Sequence, residues 1–147
     1  GGGIEFEKEF KNLTIGKSEV IIDGNDIFIL AVGNMVEPAI SVAKKISNTN
    51  FSCGVVNVRF VKPLDVELIK QIAKKVKGII TIEENIISGG FGSAVCELLE
   101  TEDVKIHRIG LPDKFVEHGK QTEIRERYGL TTDGIFNNIK EWLKKLA

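Results

Sequence analysis

The sequence has little cysteine and no excess of charge of one sign. Cys53 and Cys96 are the only cysteines among 147 residues, and they lie far apart in apolar runs, without the close spacing of a zinc or redox pair. We expect both to be buried and chemically silent, as is usual in a reducing compartment. The formal net charge is -1, so the chain lacks the basic surface that a nucleic acid would require.

Long hydrophobic runs are absent as well. No apolar stretch approaches the roughly 20 residues that a membrane span needs, and no charged segment followed by an apolar one opens the chain as a signal peptide would. We therefore expect a soluble, cytoplasmic protein that does not bind a membrane. With 42% apolar and 28% charged residues, the chain has the composition of an ordinary globular domain.

Short apolar segments alternate with amphipathic ones along most of the chain. The predicted strands cover residues 15–22, 27–32, 53–58, 78–82 and 104–110. The predicted helices cover residues 36–47, 66–76, 91–99, 122–128 and 132–146, and Asp65 is the expected N-cap of the second. Nearly continuous apolar strands joined by helices indicate a parallel sheet that is covered on both faces.

The first strand differs from the others because a turn signal follows it. The pair Asp23-Gly24 is typical of a hairpin, which predicts that this strand runs antiparallel to the strand after the turn. The fold class is thus α/β, a three-layer α/β/α domain with a mostly parallel five-stranded sheet and one antiparallel strand. We assign it to residues 13–147. Residues 1–12 are read as a lead-in, either a linker or a remnant of cloning.

Ligands of open parallel sheets bind in the loops after the carboxyl ends of the strands. In the loop after the fourth strand, a glycine-rich turn of Gly89, Gly90, Gly92 and Ser93 leads into a helix, where free N–H groups can hold an anion. The turn lacks both the GxGxxG fingerprint and the lysine of a P-loop. The alternative is that its glycines let the helix begin close against the sheet or a neighbouring domain.

Two adjacent carboxylates, Glu83 and Glu84, stand at the beginning of the same loop. Adjacent residues at a strand end point to opposite faces, so the two cannot easily flank one bond as a general acid and base, and we expect hydrogen-bonded or solvated carboxylates. His118 lies in a loop suited to proton transfer, but no triad partner is evident near it in the sequence. Arg59 and Lys62 either grip a phosphate or contact a partner surface. We assign no catalytic, cofactor-binding or metal-binding residue.

Four strings, taken together, resemble one enzyme family. They are IGKSEV from Ile15, NVRFVKPLD from Asn57, TIEENIISGGFGSAV from Thr81 and GLPDKFVEHG from Gly110. Their order and spacing resemble the C-terminal domain of 1-deoxy-D-xylulose-5-phosphate synthase, which is a transketolase-like thiamine diphosphate enzyme. Looser forms of the second and third strings resemble transketolases and the beta subunits of 2-oxo acid dehydrogenases.

The resemblance implies a function for the parent enzyme rather than for this domain alone. It implies a homodimeric transferase that uses thiamine diphosphate and Mg²⁺, condenses pyruvate with glyceraldehyde 3-phosphate and releases CO₂, for isoprenoid, thiamine and pyridoxal synthesis. The cofactor residues would belong to thiamine-binding domains upstream in the same polypeptide, so this domain would support assembly and be inactive alone. Two alternatives remain: the equivalent domain of a transketolase or 2-oxo acid dehydrogenase beta subunit, and an anion-binding regulatory module that uses the loop from Gly89 to Ser93.

Overall fold

A computed structural model describes residues 14–87, 89–114 and 119–146. Its strands are β1 (Glu19–Ile22), β2 (Ile27–Ala31), β3 (Cys53–Asn57), β4 (Gly78–Ile86) and β5 (Lys105–Leu111). Its helices are α1 (Val36–Ile46), α2 (Val66–Lys75), α3 (Phe91–Leu98), α4 (Gln121–Arg127) and α5 (Thr132–Leu146), and a short 3-10 turn, Gly33–Met35, precedes α1. The predicted lead-in of residues 1–12 lies outside the described residues.

The five strands form one mixed sheet in the order β1-β3-β2-β4-β5. Strand β2 pairs in parallel with β3 and β4, and β5 pairs in parallel with β4. Strand β1 alone is antiparallel, and its partner is β3. The predicted architecture, a mostly parallel sheet with one antiparallel strand, is therefore confirmed.

The predicted hairpin at Asp23-Gly24 is wrong. Strand β2 has a parallel neighbour on each side, so β1 cannot pair with it. It pairs instead with the outer edge of β3, where Glu19 faces Asn57. The link between β1 and β2 crosses the start of β3 instead of turning back. Gly24 passes so close to it that a Cβ atom there would lie 2.2 Å from the backbone nitrogen of Gly54.

Side chains of the sheet alternate between two apolar layers, as the strand period requires. On β2, Ile27 and Ile29 pack in the layer that contains α1 and α5, while Phe28 and Leu30 pack in the layer that contains α2 and α3. Each of these β2 side chains is at most 1% exposed. Burial of one such side chain contributes about 1.5–3 kcal/mol, so the two layers hold the helices on both faces.

Local signals of the sequence set the helix boundaries. The Asp65 side chain accepts a hydrogen bond from the backbone N–H of Leu68 at 3.2 Å, which confirms the predicted N-cap. Its other oxygen accepts from the backbone N–H of Ser18 at 2.8 Å and so fastens the segment before β1 to α2. After α4, Gly129 adopts a φ of 70°, the left-handed conformation in which helices often end.

The two cysteines differ in burial. Cys53 is buried in β3, and burial raises the pKa of its thiol to about 12. Cys96 is only half-buried, because on α3 it adjoins the fully buried Val95 without sharing its inward direction. The expectation of burial is thus confirmed for Cys53 and wrong for Cys96. None of the described helices is both long and apolar enough to cross a membrane.

Candidate functional site

The carboxyl end of β4 carries the groups on which the sequence predictions centred. Strand β4 continues to Ile86, so Glu83 and Glu84 lie within the strand and not in the loop after it. Their side chains point to opposite faces of the sheet, as predicted, because adjacent strand residues alternate. Glu83 faces α3, and Glu84 faces α4.

Glu83 is a buried carboxylate bound at the start of a helix. The residue is 2% exposed, and its two oxygens accept hydrogen bonds from the backbone N–H of Phe91 at 3.0 Å and of Gly92 at 2.7 Å. The first N–H groups of a helix have no partner within the helix, and the helix dipole favours a negative charge there. Glu83 thus lies where an external anion bound to α3 would lie.

Burial raises the pKa of Glu83 above its ordinary value, and this effect outweighs the opposing hydrogen bonds from Gly92 and Phe91 and the charge of Arg108. A raised carboxyl pKa is common in acid catalysts. Here, however, the groups that contact the carboxylate are backbone N–H groups of the same domain. The contacts therefore favour a structural role, the anchoring of α3 to the sheet.

Ser93 fastens the glycine-rich turn that precedes it. Its hydroxyl donates to the carbonyl oxygen of Ile87 at 3.0 Å and accepts from the N–H of Gly89 at 3.1 Å and from the guanidinium of Arg108 at 3.2 Å. Gly89 has a φ of 75°, which disfavours any residue with a Cβ atom. Three contacts thus converge on one hydroxyl, so an external ligand of Ser93 would compete with groups of the domain itself.

Gly92 lies in tight contact with the sheet. A Cβ atom at this position would lie 2.7 Å from the hydroxyl oxygen of Thr81 and 3.1 Å from Cδ of Arg108. Thr81 is fully buried, and its hydroxyl has no hydrogen-bond partner among the described residues. The glycine therefore allows α3 to begin directly against β4, as the steric interpretation of the turn expects.

Glu84 has a different set of contacts on the opposite face. Its carboxylate forms an ion pair with Nε of Arg125 and accepts a hydrogen bond from the Gln121 side chain at 2.9 Å. Both partners belong to α4, about 40 positions along the chain, and the Glu84 and Arg125 side chains are each 24% exposed. The sequence contained no local signal for this cluster, because only the fold brings α4 to the end of β4.

The structure does not gather the remaining predicted residues at this cluster. Arg59 follows β3, donates through Nη2 to Glu19 at 2.8 Å and has a φ of 59°, so it holds the edge strand β1. Lys62 is exposed, and His118 lies outside the described residues. Among the residues that the structure does describe, no group of three or more His, Cys, Asp or Glu side chains could hold a metal ion.

Comparison with known proteins relates the chain to one family. A model of the transketolase C-terminal domain matches residues 16–135. The 1-deoxy-D-xylulose-5-phosphate synthase of Desulforudis audaxviator is 43% identical over 150 residues, which is 100% of this chain and 24% of the relative. Synthase 2 of Geobacter sulfurreducens is 45% identical over 144 residues, 95% of this chain and 23% of the relative. The chain thus spans about a quarter of these relatives.

Solved structures have the same fold. A split-gene transketolase, solved as an inactive tetramer of beta4 type, superposes with a TM-score of 0.78 and 31% identity, over 88% of this chain and 42% of that chain. A transketolase from Pichia stipitis superposes with a TM-score of 0.60 over 86% of this chain and 18% of that chain. Its identity is 17%, so this second likeness concerns the fold alone.

Proposed function

We propose, from the fact that this chain belongs to the transketolase C-terminal domain family, that it is the assembly domain of a 1-deoxy-D-xylulose-5-phosphate synthase. One observation carries the proposal: essentially the whole chain aligns with synthases at 43–45% identity while it spans about a quarter of their length. The split-gene transketolase is only 31% identical. This difference favours a synthase as the parent enzyme over a transketolase.

The parent enzyme in this proposal is a homodimeric, cytoplasmic transferase. It condenses pyruvate with glyceraldehyde 3-phosphate, releases CO₂ and supplies isoprenoid, thiamine and pyridoxal synthesis. Thiamine diphosphate and Mg²⁺ bind to the domains upstream in the same polypeptide, and thiamine diphosphate supplies the carbanion chemistry of the condensation. The domain alone is inactive, and its role is to hold those upstream domains in their working arrangement.

The hydrogen bonds at the end of β4 favour a structural role of Glu83 and Ser93 over a catalytic one. Glu83 is engaged by backbone N–H groups of α3, and the hydroxyl of Ser93 is engaged by three groups of the domain. A general acid or base must be able to form a hydrogen bond with its substrate. The internal hydrogen bonds of Glu83 and Ser93 compete with such a contact. We therefore assign the turn of Gly89, Gly90, Gly92 and Ser93 to domain contact rather than to anion binding. The remaining contact candidates are Arg59, Lys62 and His118.

A chimeric enzyme tests the assembly role. The upstream three-quarters of the Desulforudis audaxviator synthase is expressed alone and fused to this chain, and formation of 1-deoxy-D-xylulose 5-phosphate is assayed for each protein. We expect activity from the fusion, and none from the upstream part alone or from this chain alone. A fusion to the corresponding domain of the Pichia stipitis transketolase is the matched control and should be less active.

Two results would contradict the proposal. If the upstream part alone were as active as the fusion, the domain would not be needed for assembly. If calorimetry of the isolated chain showed tight binding of thiamine diphosphate with Mg²⁺, the cofactor site would belong to this domain. The coding sequence before Gly1 provides a third check, since a synthase should continue upstream in the same reading frame into a thiamine-binding domain.

A further inference from the structure

An open cleft lies on the α4 face, where β4 and β5 end. Its volume is about 380 Å³, and it is lined by Glu84, Asn85, Leu111, Gly119, Gln121, Ile124, Arg125 and Leu130. Ligands of parallel α/β sheets bind beyond the carboxyl ends of the strands, which is where this cleft lies. Its described lining residues include neither the glycine-rich turn nor Arg59 or Lys62.

Arg125 supplies the cation of the cleft in a fixed orientation. Its Nε binds one oxygen of Glu84, and the other oxygen of Glu84 accepts from Gln121 at 2.9 Å. Within the described parts of the chain, the two Nη groups of Arg125 have no partner. A guanidinium held through Nε presents its Nη groups as a planar fork, and such a fork suits two carboxylate oxygens.

The negative charge of Glu84 is neutralised within the same cluster. The pair of Glu84 and Arg125 has no net charge, and both oxygens of the carboxylate already accept hydrogen bonds. An incoming carboxylate would therefore approach the donor side of a neutral pair. Each oxygen of Glu84 keeps a second lone pair, but the positive guanidinium beside it opposes the approach of a cation. The cluster therefore favours an anion over a cation.

Apart from Asn85, the rest of the lining is apolar, and the cleft is small. Leu111 and Leu130 are buried, at 6% and 1% exposure, and Ile124 on α4 packs against the same core layer. A volume of about 380 Å³ lies near the lower limit of the roughly 300–1,000 Å³ of typical ligand pockets. The ligand must accordingly be small, with a short apolar part beside its charged group.

We infer that this cleft is a binding site for a small organic carboxylate, whose charged group contacts the Nη groups of Arg125 and whose apolar part lies between Leu111, Ile124 and Leu130. The amides of Asn85 and Gln121 stand at the polar end and orient the bound carboxylate. The inference concerns residues of this chain alone and is independent of which parent enzyme carries the domain.

NMR titration of the ¹⁵N-labelled full chain tests the inference, with butyrate as the probe. Butyrate should cause saturable shifts of the Arg125 Nε–H and of the backbone N–H groups of Gly119, Gln121 and Leu130. For a ligand of this size we expect a Kd of about 1–10 mM. Butyramide has the same shape without the charge, and butylammonium has the opposite charge, so both should bind at least about tenfold more weakly.

A pair of matched substitutions assigns the interaction to one guanidinium. Arg125→Lys keeps the charge beside Glu84 but removes the fork, and it should weaken butyrate binding about tenfold. Arg127→Lys is the control, because positions two apart on a helix face in different directions, and it should bind as the wild type does. Thermal unfolding of both variants verifies that α4 is retained.

Three outcomes would overturn the inference. They are the absence of any saturable shift with butyrate, binding of butyramide as tight as that of butyrate, and unchanged affinity in Arg125→Lys. If Arg125→Lys fails to fold, the comparison of butyrate with butyramide on the wild-type chain still decides, because it needs no variant.

Discussion

Glu83 and Glu84 are adjacent on one strand, yet they belong to two regions with different properties. The Glu83 region is closed: the residue is 2% exposed, and its donors are backbone N–H groups of α3. The Glu84 region is open, with a side chain 24% exposed and side-chain donors from α4. Backbone donors are held in place by the helix itself, whereas side-chain donors are held by their own contacts.

Two adjacent glutamates can thus be part of the architecture on one face of a sheet and line an open cleft on the other. Where a helix begins directly against the strand, its unpaired N–H groups require an acceptor, and Glu83 becomes part of the architecture. Where only a short helix lies nearby, Glu84 forms a partly exposed ion pair, which contributes little to stability. Substitutions in the first region should therefore affect the free energy of unfolding far more than those in the second.

The largest effect should come from Glu83→Ala. Two buried N–H groups at the start of α3 would lose their acceptor, and we expect the free energy of unfolding to fall by about 3 kcal/mol. Urea denaturation followed by circular dichroism measures this change. The matched control is Glu84→Ala, for which a loss of at most about 1 kcal/mol is expected.

Equal losses in the two variants would remove the proposed distinction between the regions. A second measurement tests the same distinction between the regions. The space left by the Glu83 carboxylate should become a site for a small external anion, because the helix dipole and the N–H groups remain. Added acetate should therefore raise the unfolding midpoint of Glu83→Ala more than that of Glu84→Ala. No preferential recovery would mean that these N–H groups find another partner.

A smaller loss is expected from Gly92→Ala in the closed region. The new Cβ atom would lie 2.7 Å from the Thr81 hydroxyl and 3.1 Å from Cδ of Arg108, and overpacking of this kind costs about 2 kcal/mol. Gly119→Ala in the open region is the control. Among the described residues, its Cβ atom would meet the flexible end of Glu123 at 3.2 Å, so a change within about 0.5 kcal/mol is expected. Comparable destabilisation of both variants would contradict the assigned tight contact.

Thr81→Val should stabilise the domain slightly. Thr81 is fully buried, and its hydroxyl has no partner among the described residues, so replacing that hydroxyl by a methyl group should add about 1 kcal/mol to the free energy of unfolding. In the control, Thr49→Val, a hydroxyl that donates to the carbonyl oxygen of Ile46 is lost, and stability should fall. Destabilisation by Thr81→Val would indicate that the hydroxyl has a partner, such as an ordered water.

The sequence predicted what depends on local physics. The cap at Asp65 and the alternation of Glu83 and Glu84 follow from residues within a few positions of each other, and both are confirmed. The partner of β1 was predicted wrongly, because Asp23-Gly24 is a local signal, while the choice between β2 and β3 depends on which sheet edge the later strands leave open.

The open region could not be predicted for the same reason. Arg125 and Gln121 reach Glu84 only after α4 has packed at the end of the sheet, and helical spacing on α4 gives no information about its partner. Glu83 had a recognisable signal in retrospect: a buried carboxylate lies eight residues before a glycine-rich helix start. The sequence did not show whether the N–H groups of this helix start bind an external anion or the carboxylate of Glu83 itself.

The smallest expected effect is a difference in how stability depends on pH. Burial raises the pKa of Glu83 above 4.5, so the folded state holds this proton more tightly than the unfolded state does. Its contribution is fully present below the ordinary pKa and is lost as pH rises through the raised folded pKa. The free energy of unfolding of the wild type minus that of Glu83→Gln should therefore decrease as pH rises through this window.

Asp133 provides the opposite sign, because its hydrogen bond with Lys45 lowers its pKa. The free energy of unfolding of the wild type minus that of Asp133→Asn should therefore decrease as pH falls. Urea titrations of the three proteins across this acidic range measure both slopes, and a Glu83 difference that increased with pH would show that the N–H groups of α3, and not burial, dominate the closed region.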